Sequence, residues 1–292
     1  MLLLLYPNSH PYAKDKRPAL LLASLLYISY DTHMLLTLKV GNTTIGAGIF
    51  DGEKLVADWT ISARRDYTPD ELGMSLLNFL AAHKIKASQI EGFIVNSVVP
   101  PLNWAISKAS HKYFNREAIF LDHRLGLFPL DVKEPGSVGA DRIADCIAGF
   151  RLYGGPLLII DFGTATTFNL VSRDGHFLGG AIAPTMELAA ESLVKTTAQL
   201  FKVELIPPRT VIGKDTAENL QAGIVLGFLE LVEGLIDRFE EEYPQGLRVI
   251  STGGRGSFFK EQIPAIEIHD EHLALKGLRI AWEERNREQK SL

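Results

Sequence analysis

Three short apolar runs open the patterned part of the chain. Leu35–Val40, Ile45–Phe50 and Leu55–Ile61 each have strand length, and Gly, Asn and Asp residues separate them. The pattern then changes to a helical period. Thr68-Pro69-Asp70-Glu71 supplies a capping box with proline at the first helical position, and Leu72, Leu76, Phe79 and Leu80 follow on one face. Phe93–Val98 predicts a buried strand stopped by Pro100-Pro101, and Trp104–Tyr113 predicts the next helix. Further on, Leu157–Ile160, Thr167–Val171 and Phe177–Gly180 read as strands, with Asp174-Gly175 as a turn. Helices are expected over about 186–197, from Asp215 to about Tyr243, and from Leu273 to about Arg285. Gly223, Gly227 and Gly234 inside the second of these predict close packing. Arg248–Ser251 is a strand that leads into Thr252-Gly253-Gly254.

One unit of this pattern occurs twice. Leu35-Leu36-Thr37-Leu38-Lys39-Val40-Gly41-Asn42-Thr43-Thr44 aligns with Leu157-Leu158-Ile159-Ile160-Asp161-Phe162-Gly163-Thr164-Ala165-Thr166. Each copy is an apolar strand, a charged residue, a hydrophobe, glycine and a small polar cluster. Each then runs through a second strand with an Asp-Gly turn, Asp51-Gly52 or Asp174-Gly175. Duplication predicts two lobes that open with the same hairpin and face one another across a cleft. The lobes are placed at 34–152 and 153–285, with a tail over 286–292.

Composition narrows the class. The chain has 292 residues, enough for two domains, and is 46 % hydrophobic and 22 % charged, as a globular protein is. A net charge of −5 argues against wrapping nucleic acid. A single cysteine, Cys146, excludes an internal disulfide and a zinc knuckle and suits a cytoplasmic protein. Residues 1–33 differ from the rest. Ala19–Ile28 is apolar, too short to span a bilayer, and preceded by Lys14, Lys16 and Arg17. A weak signal peptide is one reading. An extension from an upstream start codon, with Met34 as the natural start, is the preferred one, and no membrane association is expected.

The repeated turns carry the candidate chemistry. Glycine lets backbone N–H groups point at a phosphate, and Thr and Asn add neutral donors. An acid at the strand end can hold a metal ion that screens phosphates. Two such turns facing each other can grip a nucleoside triphosphate. No Walker loop competes, because Gly213-Lys214 lacks the upstream glycine. Gly46 and Gly48 lack the third glycine of a dinucleotide fingerprint. Gly139-Ala140-Asp141-Arg142 falls at a loop-to-helix junction. There Asp141 can take a hydroxyl proton and Arg142 can pair with an anion. On spacing alone the plainer reading is favoured: a helix-start aspartate or a surface ion pair. Ser251-Thr252-Gly253-Gly254 allows close approach of a flat ligand such as adenine, or is simply a flexible turn.

These elements in this order resemble the type III pantothenate kinases of the actin/hexokinase-like ATPase superfamily. The resemblance runs from Met34 to about Arg285. It rests on Val40-Gly41-Asn42-Thr43, Asn96-Ser97-Val98-Val99-Pro100-Pro101-Leu102, Gly139-Ala140-Asp141-Arg142-Ile143, Asp161-Phe162-Gly163-Thr164-Ala165-Thr166-Thr167 and Val211-Ile212-Gly213-Lys214. It implies an α/β fold of two duplicated actin/ribonuclease H-like domains, with mixed central sheets and flanking helices. It implies ATP-dependent phosphorylation of pantothenate to 4'-phosphopantothenate, the first step of coenzyme A biosynthesis, by a cytoplasmic homodimer. Asp141 would be the base. ATP, with Mg2+, would contact Lys39, Val40, Gly41, Asn42, Thr43, Thr44, Ile45, Gly46 and Thr164. Pantothenate would contact Val132, Gly139, Ala140, Asp141, Arg142 and Thr216. Asp161 would bind a monovalent cation, K+ or NH4+.

The resemblance breaks at one charge. The family's first turn reads Asp-x-Gly-Asn-Thr, and Lys39 stands where its acid is expected. The internal repeat shows the same anomaly, because the equivalent residue is Asp161. Lysine cannot ligate Mg2+, although its ammonium can touch a phosphate. Val132 replaces a usual tyrosine, Asp145 an asparagine, Thr185 a glycine and Phe201 a proline. The working enzyme, a kinase for another small hydroxyl compound, and an inactive homologue serving as a ligand-binding or transcription accessory protein all stay open on the sequence.

Overall fold

Residues 34–291 are described by a computed structural model. The expectations for residues 1–33 lie outside the described residues.

Strands β1 (Met34–Val40), β2 (Thr44–Asp51) and β3 (Lys54–Ser62) form an antiparallel meander. Strand β4 (Ile90–Ser97) pairs parallel to β1, and β5 (Ile119–Phe120) pairs parallel to β4. The sheet order is β3-β2-β1-β4-β5. The second half repeats this plan. Strands β6 (Leu157–Phe162), β7 (Thr166–Val171) and β8 (Phe177–Ala183) are antiparallel, while β9 (Arg248–Thr252) and β10 (Ile266–His269) add in parallel. Its order, β10-β9-β6-β7-β8, is the first order read from the other edge. The duplication read from the two hairpins therefore extends to whole five-stranded sheets, as expected of a duplicated actin/ribonuclease H-like fold.

Alternation along β1 and β6 sorts their side chains onto two faces. Leu36, Leu38 and Val40 pack outward under helices α1 (Pro69–Ala82) and α2 (Pro100–Phe114). The alternate Leu35 joins a central core that also holds Leu157 and Ile159 of β6. That central core contains the inner faces of α3 (Ala140–Tyr153) and α8 (Leu273–Ser291), so these two helices lie between the sheets. They touch closely: a Cβ on Gly277 would stand 2.0 Å from the Ala144 carbonyl oxygen. The expected capping box is present. Glu71 N donates to Thr68 Oγ1 at 3.2 Å, and Thr68 N donates back to Glu71 Oε2 at 2.9 Å. Pro100-Pro101 ends β4 and opens α2, because proline suits a first helical turn.

The C-terminal lobe also carries α4 (Met186–Thr196), α5 (Thr216–Gln221), α6 (Gly227–Glu242) and α7 (Gly256–Gln262). Residues Ala222–Leu226 between α5 and α6 form a π turn, so the expected long helix is interrupted. The whole stretch Thr216–Glu242 is long and apolar enough to cross a membrane by length and composition. Its Leu220, Ile224, Val225, Phe228, Val232 and Ile236 are buried on the outer face of the second sheet instead. The glycine expectation there fails. A Cβ on Gly223, Gly227 or Gly234 would meet nothing within 4 Å, because these residues face away from the sheet.

The last helix is tied down at its start. Asp270, 5 % exposed, accepts from Tyr153 Oη at 2.7 Å and from Lys276 Nζ at 2.7 Å. The pair joins the end of α3 to α8. Asp270→Asn is expected to cost about 1–3 kcal/mol in urea unfolding, because it removes the charge from two charge-assisted bonds while keeping the side-chain shape.

Candidate active site

The strand alternation that buries Leu35 places Lys39 on the same inward face of β1. The same alternation turns Asp161 of β6 inward beside Leu157 and Ile159. The two side chains meet: Lys39 Nζ donates to Asp161 Oδ2 at 3.0 Å, with the side chains 29 % and 8 % exposed. The turns beyond them also meet. Thr43 Oγ1 and Thr164 Oγ1 lie 3.1 Å apart, one hydroxyl donating to the other. Gly41 N donates to Thr44 O at 2.9 Å, which makes the first turn tight. Val40, Gly41, Asn42, Thr43, Thr44, Ile45 and Gly46 run through this turn into β2, and of these Thr43 meets Thr164.

Helix α3 brings the third element to the same place. Gly139 is its N-cap, followed by Ala140, Asp141 and Arg142. Asp141 Oδ1 accepts from the Arg142 backbone N at 2.8 Å, and a Cβ on Gly139 would stand 2.5 Å from that oxygen. Asp141 thus makes a helix-start bond, and among the described residues it forms no ion pair. Burial raises its pKa, the Arg142 N–H opposes the rise, Asp161 adds to it, and Lys39 and Arg142 oppose it. One turn further on, Asp145 is wholly buried, and neither of its oxygens has a hydrogen-bond partner among the described residues. Burial pushes its pKa well above the ordinary carboxylate range, and Asp161 pushes the same way, against Lys39. Lys39 answers these charges. Burial alone would lower its pKa, but Asp161, Asp145 and Asp141 together raise it.

Arg142 points the other way. Its Nε donates to Asn169 Oδ1 at 2.5 Å, its Nη2 donates to Phe168 O at 3.2 Å, and its guanidinium lies 5.1 Å from the Phe177 ring centre. Val132 packs on the central core, within 4.0 Å of a Cβ built on Gly179 in β8. It therefore stands beside the strand that borders Arg142. Thr216 opens α5 behind the Asp215 cap. Among the described residues no hydrogen bond or ion pair joins it to Asp141. Thr185 caps α4, with Leu188 N donating to its hydroxyl at 3.3 Å, a role a glycine there would lack.

The Ser251–Gly254 turn reaches the cluster in an unexpected way. Gly253 has φ +86°, and a Cβ on it would lie 2.4 Å from Asp161 Oδ1. The close approach that glycine permits here is to Asp161 itself. Gly254 has open space beside it, and the next residue, Arg255, pairs with Glu187 at 2.8 Å. A cavity of about 560 Å3 lies against Arg255, Glu187, Ala190, Val194, Phe201 and Ile224. Its lining includes none of Lys39, Asp141, Asp145 and Asp161. No local pattern along the chain signals this cavity, because its walls come from four separate segments.

The facing Gly/Thr turns fit a polyphosphate. A protein-held cation at Asp161 fits poorly, since Lys39 Nζ already sits on Oδ2. Among the described residues no three Asp, Glu, His or Cys side chains are grouped to hold a metal ion. Mg2+ at phosphate sites keeps waters and phosphate ligands, so it would come with a nucleotide rather than need a protein cage.

Asp145 makes a pH-dependent prediction. An aspartate with a raised folded-state pKa contributes stability that is present below the unfolded value, about 3.9, and lost as pH rises through the folded value. Asp145→Asn removes that loss. It is expected to raise stability by about 1–3 kcal/mol near pH 7, with the gain shrinking toward pH 4. Urea unfolding at both pH values reads the difference, and an equal effect at both would refute it.

The two repeated sheets define a duplicated α/β protein of the actin/hexokinase-like fold class. A profile of the family described as "Type III pantothenate kinase" matches residues 35–238, and the chain belongs to that family. The type III pantothenate kinase of Geobacter sulfurreducens is 40 % identical over 256 residues, covering 87 % of this chain and all of the relative. That of Roseiflexus sp. is 38 % identical over 252 residues, covering 86 % of this chain and 98 % of the relative. Two solved structures share the fold. One, described as a 2-dehydro-3-deoxygalactonokinase protein from Sinorhizobium meliloti, has a TM-score of 0.56 at 12 % identity and covers 87 % of this chain and 96 % of its own. The other, described as a Baf family transcriptional activator from Campylobacter jejuni, has a TM-score of 0.54 at 20 % identity and covers 88 % of this chain and all of its own. Family membership supports ATP-dependent phosphorylation of a small-molecule acceptor.

Proposed function

We propose that the protein transfers the γ-phosphoryl group of ATP to the primary hydroxyl of pantothenate, giving 4'-phosphopantothenate and ADP. The observation that carries this reading is the meeting of the two Gly/Thr turns, joined through Thr43 and Thr164, with Asp141 near enough to feel the charges of Asp161 and Lys39. Backbone N–H groups and hydroxyls of the two turns hold the phosphates and meet the charge that grows on them. Asp141 takes the hydroxyl proton as the acceptor oxygen bonds to the γ-phosphorus. The bond from that phosphorus to the bridging oxygen breaks, and ADP leaves with the electron pair. Arg142, fixed by Asn169 and Phe168 O, supplies the positive charge for the acceptor's carboxylate. Gly139, Ala140, Val132 and Thr216 complete the acceptor site. The cavity beside Arg255 has the volume of a small-ligand pocket and is the candidate nucleobase site.

An ADP-release assay with ATP, Mg2+ and pantothenate on the full chain tests this reading. ADP formation that depends on pantothenate supports it. Turnover with a different small alcohol and none with pantothenate overturns the substrate assignment.

Lys39 favours a second reading, an inactive homologue that binds ligand or serves as a transcription accessory protein. Its ammonium stands where the first hairpin is expected to carry an acid, and it occupies Asp161. Absent turnover in the native protein that Lys39→Asp restores would establish that reading.

A further inference from the structure

Asp161 accepts from Lys39 Nζ at 3.0 Å, and the charges of Asp145 and Asp141 act on the same ammonium. Asp161 Oδ1 and both Asp145 oxygens are buried without a hydrogen-bond partner among the described residues. Asp145 is wholly buried, and Asp161 is 6 % exposed. The wall opposite Asp161 Oδ1 is the Gly253 backbone, which brings no cation. Arg142 is committed to Asn169 and Phe168 O. The ammonium of Lys39, 3.0 Å from Asp161, is left to balance the cluster. Carboxylates this deep need a partner to stay charged.

We propose that the Lys39 ammonium is the resident cation of this carboxylate cluster, a tethered replacement for the free monovalent cation that would otherwise sit on Asp161. A free K+ or NH4+ ion would have to displace Nζ from Oδ2 and would meet a like charge there. A tethered ammonium also carries no entropic cost of capture from solution. The site is then filled at any salt composition, and nucleotide binding is independent of K+ and NH4+. This last consequence rests on the ATP reading; the cation assignment itself does not.

Thermal unfolding of the full chain in choline chloride, KCl and NH4Cl at matched ionic strength tests the assignment without nucleotide. The native midpoint is expected to agree in all three salts to within about 1 °C. Lys39→Ala opens the site, so K+ or NH4+ at about ten times its dissociation constant is expected to raise that variant's midpoint by roughly 3–6 °C over choline. Lys39→Arg keeps the charge and is expected to behave as the native protein does. If Lys39→Ala alone does not fold, the Lys39→Ala/Asp145→Asn double variant removes one of the crowded carboxylates and carries the same readout. A native midpoint that rises with K+ or NH4+, or a lysine-less variant indifferent to both, overturns the proposal. ATP titrations in the same salts separate the two readings. Absent ATP binding with the salt pattern intact sinks the kinase reading alone. ATP binding with the salt pattern reversed sinks the cation assignment alone.

Discussion

Asp141→Asn is expected to lower kcat by about 10²–10⁴-fold, the usual contribution of a positioned general base. The substitution is nearly isosteric. Asparagine Oδ1 can still accept the Arg142 backbone N–H that Asp141 accepts at 2.8 Å. Helix α3 should therefore keep its start, and KM for ATP should change little. The side chain loses only its capacity to take up a proton. A pH profile gives an independent reading. A base at Asp141 would act ionised, and burial holds its pKa above the ordinary 3.8, with the Arg142 N–H opposing, Asp161 adding to the rise and Lys39 opposing. The acid limb of the native kcat profile is therefore expected above the range of an exposed aspartate, and Asp141→Asn is expected to flatten it. Steady-state kinetics with ATP and pantothenate measure both effects. An unchanged kcat would remove Asp141 from the mechanism.

Gly180→Ala is expected to cost about 2–3 kcal/mol or more, the upper end for overpacking, because backbone stands in the way. A Cβ at that position would lie 1.7 Å from the Phe168 carbonyl oxygen and 2.8 Å from Arg142 Nη2. Strand β8 pairs with β7 at this point, Asn169 opposite Gly180. Relief requires the strands to part, and Phe168 O and Asn169 are also the groups that hold Arg142. The variant is thus expected to lose stability and to raise the acceptor KM several-fold, with KM for ATP affected less. Urea unfolding and the two KM values check this together. A variant of native stability would mean that the β7–β8 register tolerates the side chain.

Much of the architecture was legible because it is local. Apolar runs of strand length at Leu35–Val40 and Leu157–Ile160 marked two strands. The repeat of strand, charge, glycine and small polar residues announced two equivalent sheets, and the sheet orders agree with it. Thr68 and Glu71 announced a helix start through a bond pattern that spans only three residues. Strands β5 and β10 escaped notice, since two and four residues are too few to show a period. The π turn escaped as well, because its one extra residue per turn leaves the apolar spacing almost unchanged.

The site was legible as a set of residues and not as an electrostatic unit. The sequence determined that Lys39 breaks the symmetry of the two hairpins. It also determined that Asp141 and Arg142 stand together at a helix start. The tertiary structure alone decided that Lys39 reaches Asp161 across 122 positions, and that Thr43 meets Thr164. It alone decided that Asp145 ends wholly buried beside them. The physical reason is that periodicity is set by neighbours along the chain. The energy of a charge is set by which groups and how little water surround it, and here that environment forms only when α3 and α8 close between the two sheets.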